Sequence, residues 1–96
     1  MPRLRWSQPA LLDVARLHNF LAPKSQDAAQ RAVKTIRQGV KALNKRPEIG
    51  RPAEELPPEF REWVIEFGQG ASVALYYYDG KQVVILAVRH GREAGY

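Results

Sequence analysis

Two guanidinium groups and an imidazole crowd into four residues, Arg89-His90-Gly91-Arg92. Imidazole has an unperturbed pKa of about 6.5, so His90 can give or take a proton near neutral pH, while the planar forks of Arg89 and Arg92 can clamp a phosphate. The set suits acid–base cleavage of a phosphodiester. It equally suits a histidine that caps or packs against a strand end, and the residues alone leave both readings open. A second grouping lies upstream. Advancing 100° per residue, Arg31, Lys34, Arg37, Lys41 and Lys45 fall within an arc of about 120° on one helix. That face is either a solvated surface or one that tracks phosphate or docks an acidic protein.

Other chemistries lack their residues. Cysteine is absent, which removes thiolate nucleophiles, disulfides and Cys-ligated zinc together. His18 and His90 lie far apart in the chain, so no metal site is expected. His18 falls on an apolar helix face and reads as a satisfied core or boundary histidine. Ser7 and Ser25 stand where helix caps belong, which leaves Ser72 in a strand and no nucleophilic triad. No glycine-rich loop follows a strand and opens a helix, so neither a nucleotide cradle nor a cofactor is expected.

Periodicity names the elements that must carry these groups. Arg3-Leu4-Arg5-Trp6 alternates with period two, as a short strand with one buried face does. Ser7 as N-cap and Pro9 in the first turn open a helix with Leu11, Val14, Leu17, His18 and Leu21 at helical spacing, ending near Ala22-Pro23. Ser25 and Asp27 open a second helix, striped by Ala29, Ala32, Val33, Ile36, Val40 and Leu43 and running to about Lys45. The short Pro23-Lys24 link makes the pair an antiparallel hairpin, and Gly39 marks a close helix crossing. Pro47, Pro52, Pro57, Pro58 and Gly50 make residues 47–59 a stiff, ordered loop in which neither helix nor central strand persists.

From Phe60 the period returns to two, with Trp63, Ile65 and Phe67 on one side and Glu62, Val64 and Glu66 on the other. Gly68-Gln69-Gly70 supplies a turn, residues 71–78 a strand, and Asp79-Gly80 a two-residue hairpin. Residues 83–88, apolar on both faces, form a central strand followed by a polar tail, 89–96. The expected fold is one α+β domain over residues 1–96: an N-terminal strand, an antiparallel helical hairpin, then a three-stranded antiparallel meander with the hairpin over one face. Tyr76 and Tyr78 are expected to line the uncovered face, or to be ordinary half-buried strand rings.

The chain has 96 residues with 15 Lys and Arg against 10 Asp and Glu, a net charge of +5. The excess belongs to residues 1–48, with 10 basic and 3 acidic side chains, whereas residues 49–96 hold 5 and 7. Such a balance favours an acidic partner such as nucleic acid. No apolar run approaches the ~20 residues that span a bilayer, and Met1-Pro2-Arg3-Leu4-Arg5 lacks the apolar stretch of a signal peptide. A cytoplasmic location away from membranes is expected.

Trp6-Ser7, the run from Asn44 through Pro47-Glu48-Ile49-Gly50-Arg51-Pro52, Glu59-Phe60-Arg61-Glu62-Trp63, and Val84-Ile85-Leu86-Ala87-Val88-Arg89-His90 occur in that order. In order and spacing they resemble the RelE/ParE superfamily of bacterial toxins from type II toxin–antitoxin modules, over nearly the whole chain. The ending Arg92-Glu93-Ala94-Gly95-Tyr96 resembles the ParE side. RelE-like members cleave messenger RNA on the ribosome with cations and a base projecting from the sheet. Here Glu62 and Glu66 stand where those nucleases tend to carry Arg and Lys, although His90 matches a histidine that some of them use.

ParE-like members instead bind DNA gyrase and block supercoiling. The resemblance therefore implies a non-enzymatic gyrase inhibitor, associated with plasmid stabilisation, without metal or cofactor. Its target-binding candidates are Arg61, Arg89, His90 and Arg92. It also implies a cognate antitoxin whose amphipathic segment covers apolar sheet surface, with Trp63, Tyr76 and Tyr78 as its candidate contacts. The alternatives are a ribosome-dependent mRNA endonuclease using His90, Arg89 and Arg92, and a non-toxic relic that only binds antitoxin. A homodimer or a toxin–antitoxin hetero-oligomer is the expected assembly.

Overall fold

Serine hydroxyls start both helices. In the computed structural model, which describes residues 3–67 and 70–90, α1 spans Gln8–Leu21 and α2 spans Gln26–Lys45. The Ser7 hydroxyl accepts the Ala10 N–H at 3.2 Å, and the Ser25 hydroxyl accepts the Ala28 N–H at 3.1 Å. Each satisfies a donor that a helix start leaves without an intrahelical partner. Ala29, Ala32, Ile36, Val40 and Leu43 of α2 are buried, as its stripe requires.

The strands are β1 (Arg3–Trp6), β2 (Arg51–Pro52), β3 (Phe60–Phe67), β4 (Gly70–Tyr78) and β5 (Gln82–His90). They form one sheet in the order β1-β5-β4-β3-β2. β3, β4 and β5 are the expected antiparallel meander, and β1 lies parallel to β5 with Arg3 opposite Gln82 and Trp6 opposite Ile85. β5 is therefore interior, which accounts for its apolar run. Both helices cover one face, where Ile36, Val40 and Leu43 meet Ile65, Tyr76, Val83 and Ile85. Burial of each such aliphatic side chain contributes about 1.5–3 kcal/mol before entropy is set against it.

Several local expectations change. The proline-rich loop contains β2, a two-residue strand that tolerates Pro52 because it is the sheet edge. Gly39 serves a helix–sheet approach and not a helix crossing: a Cβ there would stand 2.7 Å from Ile65 Cγ2. The β4–β5 connection is three residues, Asp79 to Lys81, with Gly80 at φ +93°. The Asp79 carboxylate accepts the N–H groups of Gln82 (3.0 Å) and Lys81 (2.9 Å), which hold its pKa below the ordinary aspartate value. β4 begins at Gly70, and Gly68 and Gln69 of the expected turn lie outside the described residues. β5 continues through Arg89 and His90, so these two are strand residues and not the start of a tail.

The tyrosines also take the opposite phase. Ser72, Ala74 and Tyr76 are buried beneath the helices, with Tyr78 packed against the same core, whereas Val73, Leu75 and Tyr77 alternate to the other face. Tyr76 is fully buried and therefore does not line the uncovered face. Its hydroxyl finds two partners inside, so the ring can be buried without stranding a polar atom.

Candidate functional site

The strand-end cluster is real in part. β5 carries Val88, Arg89 and His90 to a hollow of about 210 Å³, lined also by Asp13, Arg16, Leu17 and Phe20 of α1. Asp13 fixes the geometry: one carboxylate oxygen accepts the Val88 N–H at 2.9 Å and the other bonds Arg16 at 3.3 Å. The His90 ring stacks on Phe67 with centroids 5.4 Å apart. Among the described residues His90 Nδ1, Arg89 Nε and Ser72 Oγ are buried without a hydrogen-bond partner, and Ser72 is the β4 residue directly opposite His90. Arg92 lies outside the described residues.

Arg61 does not join that cluster. It pairs across the sheet with Tyr76, four residues along β4 from Ser72, which at about 3.3 Å per residue is about 13 Å away. Its guanidinium donates to the Glu48 carbonyl at 3.1 Å and the Gly50 carbonyl at 2.8 Å. Tyr76 completes the clasp: its hydroxyl accepts the Gly50 N–H at 2.9 Å and donates to the Pro47 carbonyl at 2.8 Å. Burial pushes the Tyr76 pKa above the ordinary tyrosine value, against smaller lowering influences from the Gly50 N–H and Arg61. Arg51 closes the loop onto β3 through Glu62 at 3.0 Å. Trp63 faces the helices, and its indole N–H donates to the Gly39 carbonyl at 3.0 Å.

On α2 the basic residues form one outward face. Arg31, Lys34, Arg37, Lys41 and Lys45 are all exposed. Arg31 pairs with Asp27 at 3.0 Å, and no ion pair involves the other four among the described residues. Beside this face, Trp6, Leu11, Val14, Ala15, His18 and Val33 line an open groove between the helices that Arg37 borders. His18 is half-buried there. Leu11, placed on the apolar side by its spacing, is 51 % exposed, and Leu12 (52 %) and Phe20 (60 %) extend the apolar surface of α1.

A family model for the ParE toxin of type II toxin–antitoxin systems, parDE, matches residues 4–95. The chain belongs to the ParE toxin family. A solved structure of a chromosomal ParDE toxin–antitoxin system from P. aeruginosa shares the fold, with a TM-score of 0.76 and 22 % identity, over 96 % of this chain and 98 % of that one. No curated protein matches the sequence significantly.

As a ParE-type toxin of a type II toxin–antitoxin system, the chain has a legible inner logic. The Pro47–Pro52 motif is the strap that Tyr76 and Arg61 hold, and Gly50 is its tightest point. A Cβ on Gly50 would lie 2.6 Å from both the Glu62 carbonyl oxygen and the Tyr76 hydroxyl. Sequence reasoning missed Asp13, which positions the end of β5. Its signal was weak, a lone carboxylate among the apolar residues of the first helix. It also missed Leu12 and Phe20, whose spacing of eight keeps them on one helix face. No helix among the described residues is long and apolar enough to cross a membrane.

Proposed function

We propose that this ParE-type toxin acts by inhibiting DNA gyrase, without catalysis of its own, and is neutralised by a cognate antitoxin. One observation carries the choice of target. RNA cleavage needs a base within a set of free cations that meet the charge on the phosphorane; beside His90 the described residues supply Arg89 and an Arg16 already paired with Asp13, while Arg61 is committed to two loop carbonyls at the far end of the sheet. The outward side of β3 carries the exposed Glu66, which repels RNA phosphate, while Glu62 is paired with Arg51. Arg89, His90 and Arg92 remain the candidates for contacting gyrase. The purified protein is expected to block supercoiling of relaxed plasmid while leaving ribosome-bound mRNA intact; unimpaired supercoiling at excess protein overturns the reading.

A second reading, ribosome-dependent mRNA cleavage, is favoured by the His90 imidazole, whose Nδ1 is unbonded among the described residues and which shares a hollow with Arg89. It predicts cleavage in a translation extract that His90→Ala abolishes. For the antitoxin, the inward packing of Tyr76, Tyr78 and Trp63 removes the tyrosine-lined sheet surface, and α1 supplies the replacement. Leu11, Leu12 and Phe20 are three of the five exposed large hydrophobic residues among the described residues, and an amphipathic segment lying along α1 would cover them. Leu12→Asp with Phe20→Asp is expected to weaken capture by the antitoxin at least tenfold, since each removes about 1.5 kcal/mol or more of apolar burial. Retained affinity overturns this placement.

A further inference from the structure

We propose that the outward face of α2 docks on the sugar–phosphate backbone of duplex DNA, without reading its sequence. Lys34, Arg37, Lys41 and Lys45 are exposed and succeed one another at spacings of three and four, so each is a neighbour of the next on the helix surface. At about 1.5 Å per residue the line from Lys34 to Lys45 is about 16 Å long. Duplex DNA carries about one charge per 1.7 Å of axis, so about ten phosphates run alongside it. Gln30 and Gln38 fall in the same arc and add amide donors suited to phosphate oxygens.

Three features choose this occupant. A solvated helix face gains from mixed signs, whereas like charges at these spacings oppose the helix; the sole carboxylate on α2, Asp27, reaches Arg31 alone. A protein interface centres on apolar anchors, and among the described residues the exposed large hydrophobic ones are Leu11, Leu12, Phe20, Leu56 and Val64, none of them on α2. Lys34, Arg37, Lys41 and Lys45, spread over an arc of about 80°, form a helix face that fits a groove about 12 Å wide, which B-form DNA offers and the narrow major groove of A-form RNA does not.

This goes beyond the gyrase reading and is tested with no gyrase present. Anisotropy of two labelled 20-base-pair DNA duplexes of unrelated sequence measures binding to the full chain. Both are expected to bind equally within about twofold, and affinity falls about a hundredfold from 50 to 200 mM salt, as for about four neutralised phosphates. Lys34→Gln/Arg37→Gln/Lys41→Gln is expected to weaken binding more than tenfold and to flatten the salt slope by about three quarters. Arg3→Gln/Arg5→Gln/Lys81→Gln, the same change in net charge at exposed sites elsewhere, stays within about threefold. All six side chains are exposed and glutamine suits both contexts, so circular dichroism is expected to be unchanged. Equal losses in the two triple variants, or tighter binding to labelled poly-glutamate or to an RNA duplex of the same length, overturn the proposal.

Discussion

The two ends of the β3–β4–β5 meander treat buried polar atoms in opposite ways. At the Tyr76 end, the hydroxyl, the Arg61 guanidinium and the Gly50 N–H all find partners, and the proline-rich loop is clasped to the sheet. At the His90 end, Ser72 Oγ, His90 Nδ1 and Arg89 Nε are buried and find none among the described residues. Leaving a buried polar atom without a hydrogen bond is unfavourable by about 1–3 kcal/mol, which is the cost that the Tyr76 clasp avoids. The comparison assigns the first end to stability. At the second end the described residues form no such clasp around Ser72, Arg89 and His90.

The widest test is Gly50→Ala. The new methyl group would sit 2.6 Å from a backbone oxygen of β3 that cannot yield. A loss of about 3 kcal/mol is expected, a fall of at least 10 °C in Tm by calorimetry. Tyr76→Phe comes next, because it leaves the Gly50 N–H and the Pro47 carbonyl unpaired; about 2 kcal/mol is expected from urea denaturation. Since Tyr76 titrates higher folded than unfolded, its ionisation above pH 10 favours the unfolded chain. Stability should decline as pH rises from 10 towards the raised value, and Tyr76→Phe should reduce that decline. Arg61→Met keeps the stem and removes both carbonyl contacts, for about 1 kcal/mol, with gyrase inhibition unchanged if its work is to hold the loop. Smallest of all is Ser72→Ala, expected within about 0.5 kcal/mol of the parent or slightly more stable, because no hydrogen bond among the described residues is lost. A loss above 1 kcal/mol there would place a partner for Ser72 outside the described residues and erase the contrast.

Helix positions were legible in the sequence because Ser7, Ser25 and the spacing of the α2 stripe are local signals, and local chemistry decides caps and faces. The meander and the facing of β3 were equally plain from alternation. What escaped depends on distant residues. Tyr76 and Tyr77 are the same residue type at adjacent positions, so only the Pro47 and Gly50 backbone groups, more than twenty residues away, decide which one is buried. A register shift between Leu75 and Tyr76 further alters the alternation between β4 and β5. The parallel pairing of β1 is likewise invisible to a window of neighbours. For the candidate site, the basic face of α2 could be read from helical geometry, whereas the Asp13–Val88 bond joins residues 75 positions apart.

That seam between the two ends of the chain also acts in time. Arg3 pairs with Gln82, and the Ser7 hydroxyl donates to the Leu86 carbonyl. A ribosome adds about 5–20 residues per second, so β1 waits roughly 4–16 s for the strand it must join. During that interval the helices have an unfinished sheet to pack on, and the strand that carries Arg89 and His90 does not yet exist. A chain halted before residue 82 loses more than one strand: it lacks the closure that turns a growing polypeptide into a toxin.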